Sequence, residues 1–313
     1  MNESGVSVVI CTYNRAQSLR RTLESLCKQT EAGQLSWELV VVDNRSSDST
    51  RIVCEEFKAK LPLLYLFEER PGKSNALNRG ISAACHDFLL FTDDDVEVAP
   101  DWLVNFTKAG ARNPSTAFFS GKIVPQYEHK PPEWIAKNGK TLLASLLVWC
   151  DAGETEQPID MALGANMALR RSRLADTRFD PDLGPDGTET VRGEESRLIK
   201  SLTSRGESGV YVPDALVYHW TPSHRMTLKY LWKWYYGEGL TRARSGQIDG
   251  VSGFFGVPRY LVREAGIKGW KCLLGFASRK SSIWVKAVGE FAQACGAIHE
   301  LSRLHRARRQ NRI

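Results

Sequence analysis

Three consecutive aspartates, Asp93-Asp94-Asp95, follow the apolar run Phe88-Leu89-Leu90-Phe91. A short apolar run of this kind reads as a buried strand. Three carboxylates at its tip repel one another unless a cation joins them. Aspartate oxygens suit hard divalent ions such as Mg²⁺ or Mn²⁺. Asp43 closes a second strand pattern that begins at Trp37, and Arg70 and Lys73 lie on the loop after a third, Leu63 to Phe67. In an open α/β sheet, ligands bind at the carboxyl ends of the strands, where carboxylates can accept from a nucleotide's base or ribose. Arg70 and Lys73 could offset a diphosphate there. The backbone around Thr12, Tyr13, Asn14 and Arg15 meets a helix N-terminus, which also suits an anion. Each group alone has a plainer reading as a solvated charge or turn residue. Their common sheet edge is what argues for a metal site holding a phosphorylated substrate.

The elements that must position these residues alternate regularly. Val6 to Cys11 reads as the first strand, with a helix from a Ser18 cap to about Gln29. Helices carrying Ile52, Val53 and Phe57, and then Ser74 to Ala84, separate the next strands. This β-α-β-α-β-α-β order over the first hundred residues implies a mostly parallel sheet with helices on both faces. Ala117 to Val124 reads as a further strand, Asp180 to Gly193 as a mobile loop, and Glu194-Glu195 as the start of a helix through Leu198, Ile199 and Leu202. An acidic first turn also stabilises a helix dipole without any chemistry. His219 lies on a strand pattern from Ala215 to Trp220.

Five segments in order carry a family resemblance. Val8-Val9-Ile10-Cys11-Thr12-Tyr13-Asn14-Arg15 resembles the opening strand and turn of family 2 glycosyltransferases, and Val40 to Asp48 their second motif. Gly72-Lys73-Ser74-Asn75-Ala76-Leu77-Asn78-Arg79-Gly80 resembles the third, Phe91-Thr92-Asp93-Asp94-Asp95 the D-x-D element, and Arg192-Gly193-Glu194-Glu195 the later acidic pair. The resemblance implies a GT-A type, Rossmann-like fold and an inverting transferase that takes a sugar from a nucleotide-sugar donor, with UDP-sugar as the donor class. It implies that Thr12, Tyr13, Arg15, Asp43, Lys73, Asn78, Asp93 and Arg225 face the donor. Asp95 would hold the Mg²⁺ or Mn²⁺, with Asp93 and His219 as further candidate ligands. Glu195 maps onto the catalytic base. The family usually has Asp there, so Glu194 shares the candidacy. Asn166, in Gly164-Ala165-Asn166, would meet the acceptor. Asp94, pointing away by strand alternation, is expected to serve structure.

The implied domains are 1–224 (a nucleotide half 1–100 and an acceptor half 101–224) and a basic amphipathic extension 225–313. That extension holds 17 Lys and Arg against 5 Asp and Glu, a surplus of 12, whereas the rest of the chain holds 25 against 31, a deficit of 6. Tyr230 to Tyr236 mixes aromatic and basic residues, and Ile283, Trp284, Ala287, Val288, Phe291, Cys295, Ile298 and Leu301 recur at helical spacing before an arginine-rich end. This pattern predicts peripheral contact with the cytoplasmic face of a membrane. No nucleic-acid module accompanies the charge. The seven scattered cysteines form no C-x-x-C pair and read as reduced thiols. The N-terminus is not expected to be a signal peptide, and no run is long and apolar enough to span a bilayer. A glycan or lipid-linked acceptor in surface polysaccharide synthesis fits this picture. The alternatives are a nucleotidyltransferase of similar fold and an inactive glycan-binding or scaffold module. The first would carry a Gly-rich loop after strand one, yet Thr12 to Leu19 holds no glycine. Intact Asp43, Asp93, Asp95 and the acidic pair argue against the second.

Overall fold

The computed structural model describes residues 5–185, 192–248, 253–254, 256–277 and 280–310. The middle of the loop expected between Asp180 and Gly193, and Arg279 and Arg312 of the basic tail, lie outside the described residues. The chain divides into two compact units. The first comprises Met1–Gln126, Val148–Gly187 and Gly193–Trp220; the second comprises Tyr127–Leu147, Thr188–Arg192 and Thr221–Ile313.

The first unit is a mixed α/β fold. It opens with β1 (Val6–Thr12), α1 (Ala16–Leu26), β2 (Trp37–Asp43), α2 (Thr50–Phe57), β3 (Leu63–Phe67), α3 (Lys73–Ala83) and β4 (Phe88–Asp93). β5 (Val96–Val98), α4 (Trp102–Arg112) and β6 (Phe118–Tyr127) follow. Strands β3-β2-β1-β4 lie side by side and parallel. This is the parallel sheet expected from the alternation of elements. α5 (Glu133–Asn138) belongs to the second unit. Back in the first unit, β7 (Gln157–Ile159), β8 (Asn166–Arg170), α6 (Arg171–Leu174), α7 (Glu194–Ser204) and β9 (Gly209–Thr221) complete the fold. β8 joins β4 antiparallel, and the order continues through β6 and β9 to β5. The strand patterns at Gly209 and Ala215 are one continuous strand, β9, which runs through Pro213.

Strand alternation divides the core between the two sheet faces. Val8, Ile10, Leu39, Val41 and Leu90 pack with α1, α2 and α4 through Leu19, Leu23, Val53 and Phe106. Val9, Val40, Val42, Leu89 and Phe91 pack with α3 and α7 through Leu77, Ile81, Leu198 and Leu202. These strands are apolar on both sides because helices cover both faces. α3 presses closest to the sheet at Gly80, where a Cβ would lie 2.5 Å from a Val9 methyl.

The second unit is helical. α8 (Leu228–Arg244) and α10 (Ser281–Gln310) pack together, with α9 (Arg259–Ala277) also lying on α10 and a short hairpin, β10 (Gly253–Phe254) and β11 (Val257–Pro258), before it. α8 and α10 meet at small residues. A Cβ at Gly296 would lie 2.0 Å from the Tyr236 carbonyl, and one at Gly239 would lie 2.1 Å from the Gln293 carbonyl. Val285, Ala287, Val288, Ala292, Ala294 and Ala297 of α10 are buried. Of the apolar repeat that suggested a lipid-facing helix, Ala287 and Val288 are buried, Ile283 is exposed, and the other five members are half-buried.

Candidate active site

The parallel register sets the tips of three strands level. Thr12 pairs with Asp43, and Cys11 with Asp93. The loop after β1 turns at Asn14, whose φ is +52°. Its backbone NH donates to Ser46 Oγ at 2.8 Å, and its side-chain oxygen accepts from the Ser47 NH at 2.7 Å. The two loops thus brace each other. Asp48 strengthens the brace by accepting from the NH groups of Ala16 and Thr50, which open α1 and α2. The helix start assigned to Ser18 is instead supplied by this remote carboxylate, because the acceptor comes from the next loop rather than from the helix's own flank.

Asp43 is buried, accepting from the Ser46 NH at 2.7 Å and the Tyr65 hydroxyl at 2.8 Å. Tyr13 is exposed on the first loop. The aspartate triplet divides by role. Asp94 turns inward, accepting from Thr12 Oγ1 at 2.8 Å and Arg15 at 2.9 Å. Burial pushes the Asp94 carboxyl up against the pull of Arg15. Asp94 also holds Arg15 in reach of Asp95, 3.0 Å away. The neighbouring Asp94 and Asp95 charges raise Arg15 in turn.

Asp93 and Asp95 share a space with His219. A ligand atom from each of the three lies within 4.8 Å of the others. His219 Nε2 is 3.4 Å from Asp95 Oδ1. Strand pairing creates this proximity: β5 lies antiparallel to β9 with Val96 opposite His219, and the Trp220 NH donates to the Asp95 carbonyl at 2.9 Å. Two carboxylates and an imidazole form a donor set that fits a divalent ion, and the imidazole suits Mn²⁺ better than Mg²⁺.

Lys73 links this group to α7. Its Nζ lies 2.9 Å from Asp93 Oδ1, 3.3 Å from Glu195 Oε1 and 3.8 Å from Glu194 Oε1. Burial alone would lower the ammonium's pKa, but Asp93, Glu195 and Glu194 outweigh it and hold the value well above the ordinary one. Gly72 and Gly193 precede α3 and α7 with φ of +112° and +99°, a region that favours glycine. They aim the first residues of both helices, Lys73 and Glu194, at the site. The adjacent glutamates differ. Glu194 is buried, and burial together with the Glu195 charge raises its carboxyl. The Glu195 side chain keeps 17% of its surface exposed and lies against Gly164, where a Cβ would be 2.3 Å from Oε1.

Two expected site residues are spent on the fold. Asn166 is fully buried, accepting from Trp102 Nε1 and donating to the carbonyls of Lys122 and Ala215. Asn78 exchanges both of its amide bonds with the Phe179 backbone. A buried amide needs such partners, and three elements converge on Asn166 to supply them. Arg225 belongs to the second unit, in the turn before α8. Two features were not read from the sequence. One is the closeness of Gly164 to Glu195. The other is a Glu38–Cys85–His86 cluster at the opposite ends of the strands, where Glu38 Oε1 accepts from Ser7 Oγ and the Cys85 NH, both at 2.6 Å.

Strand-tip carboxylates, a candidate metal pocket and an acidic helix start on a GT-A type sheet define the class: this is a glycosyltransferase. Residues 7–145 match the model of Glycosyl transferase family 2. The chain is 29% identical over 249 residues to the succinoglycan biosynthesis protein ExoM of Rhizobium meliloti, covering 78% of this chain and 74% of that protein. It is 34% identical over 100 residues to the UDP-Glc:alpha-D-GlcNAc-diphosphoundecaprenol beta-1,3-glucosyltransferase WfgD of Escherichia coli, covering 32% of this chain and 38% of that protein. In fold it is similar to the mannosyltransferase PcManGT of Pyrobaculum calidifontis in complex with GDP-Man and Mn²⁺. The TM-score is 0.62 at 19% identity, over 95% of this chain and 86% of that one.

Proposed function

We propose that this chain transfers a sugar from a nucleotide-sugar, of the UDP-sugar class, to a glycan or lipid-linked acceptor in surface polysaccharide synthesis, with inversion at the anomeric carbon. The observation that carries this reading is the Lys73 bridge. It brings Glu195, on a helix a hundred residues away, beside Asp93, next to the group formed with Asp95 and His219. The names of the two relatives, one in succinoglycan biosynthesis and one using a diphosphoundecaprenol acceptor, support the acceptor class.

Asp93, Asp95 and His219 would hold a Mg²⁺ or Mn²⁺ ion. When bound, it supplies Lewis-acid stabilisation of the leaving diphosphate. The chain's own residues do the rest. Asp43, fixed by Ser46 and Tyr65, borders the place for base or ribose, and Thr12, Tyr13 and Arg15 lie on the loop beside it. Arg15 and Lys73 add positive charge where the diphosphate would lie. The acceptor hydroxyl oxygen forms the new bond to the anomeric carbon. The bond from that carbon to the diphosphate oxygen breaks, and its electron pair leaves with the diphosphate. Glu195 takes the hydroxyl proton. Glu195 suits this role better than Glu194 because its side chain retains some exposure, whereas Glu194 is buried and its carboxyl lies beside Gly184. Glu194 serves to position Lys73. Glu195→Gln should bind donor as the wild type does and lose about 1,000-fold in transfer. Retained turnover in that variant, with loss in Glu194→Gln, would move the base by one position.

A further inference from the structure

We infer that α9 is a membrane-docking helix, and that its outward face lies on an anionic lipid surface. The helix is apolar on two sides. One side packs along α10: Leu261, Ala265 and Cys272 are buried, and Cβ atoms at Gly269 and Gly275 would each lie 3.1 Å from Phe291 and Trp284, respectively. The other side carries Tyr260, Val262, Ile267, Trp270, Leu273 and Leu274, all exposed, with Leu273 at 67% and Trp270 at 64%. At about 100° per residue these six fall on one side of the helix. Arg259, Arg263 and Lys271 share that side. The one acidic residue in the helix, Glu264, lies at the margin and pairs with Lys268 at 3.2 Å.

An outward face of this size on a helix already packed on its other side marks an interaction surface. Its charge names the occupant. Tryptophan, tyrosine and long aliphatic side chains interleaved with arginine and lysine favour a bilayer interface, where rings sit at headgroup depth and basic side chains reach the phosphates. A second copy is disfavoured by symmetry. Two-fold contact sets a patch against itself, bringing basic residues together with no acidic partner across the contact. The end of α10 extends the charge. α9 runs antiparallel to α10, so its first turn lies near His305, where a Cβ at Gly256 would be 2.5 Å from the His305 Cβ, and Arg306, Arg308 and Arg309 follow. The basic end thus adjoins the apolar face, and the two signals together give a firmer anchor than either alone. The inference adds to the transferase reading, since a lipid-linked acceptor would be met at that surface, but its evidence is separate.

The test uses the full-length protein with vesicles of phosphatidylcholine alone or mixed with phosphatidylglycerol, and the bound fraction is read by sedimentation. Binding to the anionic vesicles that falls with added salt is expected. Trp270→Ser with Leu273→Ser should weaken it about 100-fold. Arg263→Gln with Lys271→Gln should weaken it about 30-fold. All four side chains are outside the site, so nucleotide release toward a soluble acceptor should be unchanged. Equal vesicle binding by wild type and both double variants would overturn the inference. So would absence of vesicle binding, including a dimer that Trp270→Ser with Leu273→Ser disperses. Vesicle binding without nucleotide release from any donor would reject the transferase reading and leave the docking helix standing.

Discussion

At the residue scale, the aspartate triplet divides into one structural carboxylate and a pair beside His219. Asp94 faces into the protein and fixes Thr12 and Arg15. Asp93 and Asp95 group with His219, and Lys73 and Arg15 pair with Asp93 and Asp95, respectively. Asp95→Ala should therefore remove most of the metal's effect on donor binding. Calorimetry should show UDP affinity in Mn²⁺ reduced about 100-fold, down to the metal-free level. Unchanged affinity would displace Asp95 from the metal. Much of this was legible in the sequence, because Asp43, Lys73 and the triplet lie at predictable ends of apolar strands. The remainder depended on contacts distant in sequence. No local pattern sets Val96 opposite His219, and none reveals that the amides of Asn166 and Asn78 are consumed by backbone groups from other elements.

At the element scale, two kinds of close approach hold the molecule together. Gly80 lets α3 lie tightly on the sheet, and Gly239 and Gly296 let α8 and α10 touch backbone to backbone. Gly296→Ala improves helix propensity by about 1 kcal/mol, yet it puts a methyl 2.0 Å from the Tyr236 carbonyl. The helices must part, for a net loss of about 2 kcal/mol. A lower denaturation midpoint checks this, and a raised one would mean that the crossing is looser. The same pair contains a buried charge. Burial alone would raise Glu300, but hydrogen bonds from Arg303 at 2.6 Å and Arg244 at 2.7 Å prevail, and its carboxyl lies below the ordinary value. A lowered folded-state pKa contributes stability above the ordinary glutamate range, and that contribution is lost as pH falls through the folded value. Glu300→Gln should cost about 2 kcal/mol at neutral pH. Its melting temperature should also decline less than the wild type's on acidification, and parallel declines would show that Glu300 does not govern the acid limb. Helical spacing in the sequence foretold α10 but not its covering. A periodic apolar stripe reads the same whether lipid or another helix covers it, and here α5, α8 and α9 cover part of it while Ile283 stays exposed.

At the scale of the whole molecule, the chain combines a GT-A transferase unit with a helical unit. The surplus of basic residues lies in the latter part of the sequence. The alternation of strands and helices declared the first unit. The second also takes in Tyr127–Leu147, which composition does not set apart from its surroundings. Its grouping arises from contacts such as Tyr235 Oη to the Leu142 carbonyl at 2.9 Å and the Trp134–Trp284 ring pair. The central claim is metal-dependent sugar transfer from a nucleotide donor. It is tested most directly by nucleotide release from a panel of UDP- and GDP-sugars, in Mn²⁺ and again in excess EDTA. Release from a UDP-sugar that chelation abolishes is the expected result. Release that persists in EDTA, or none from any donor in Mn²⁺, would contradict it.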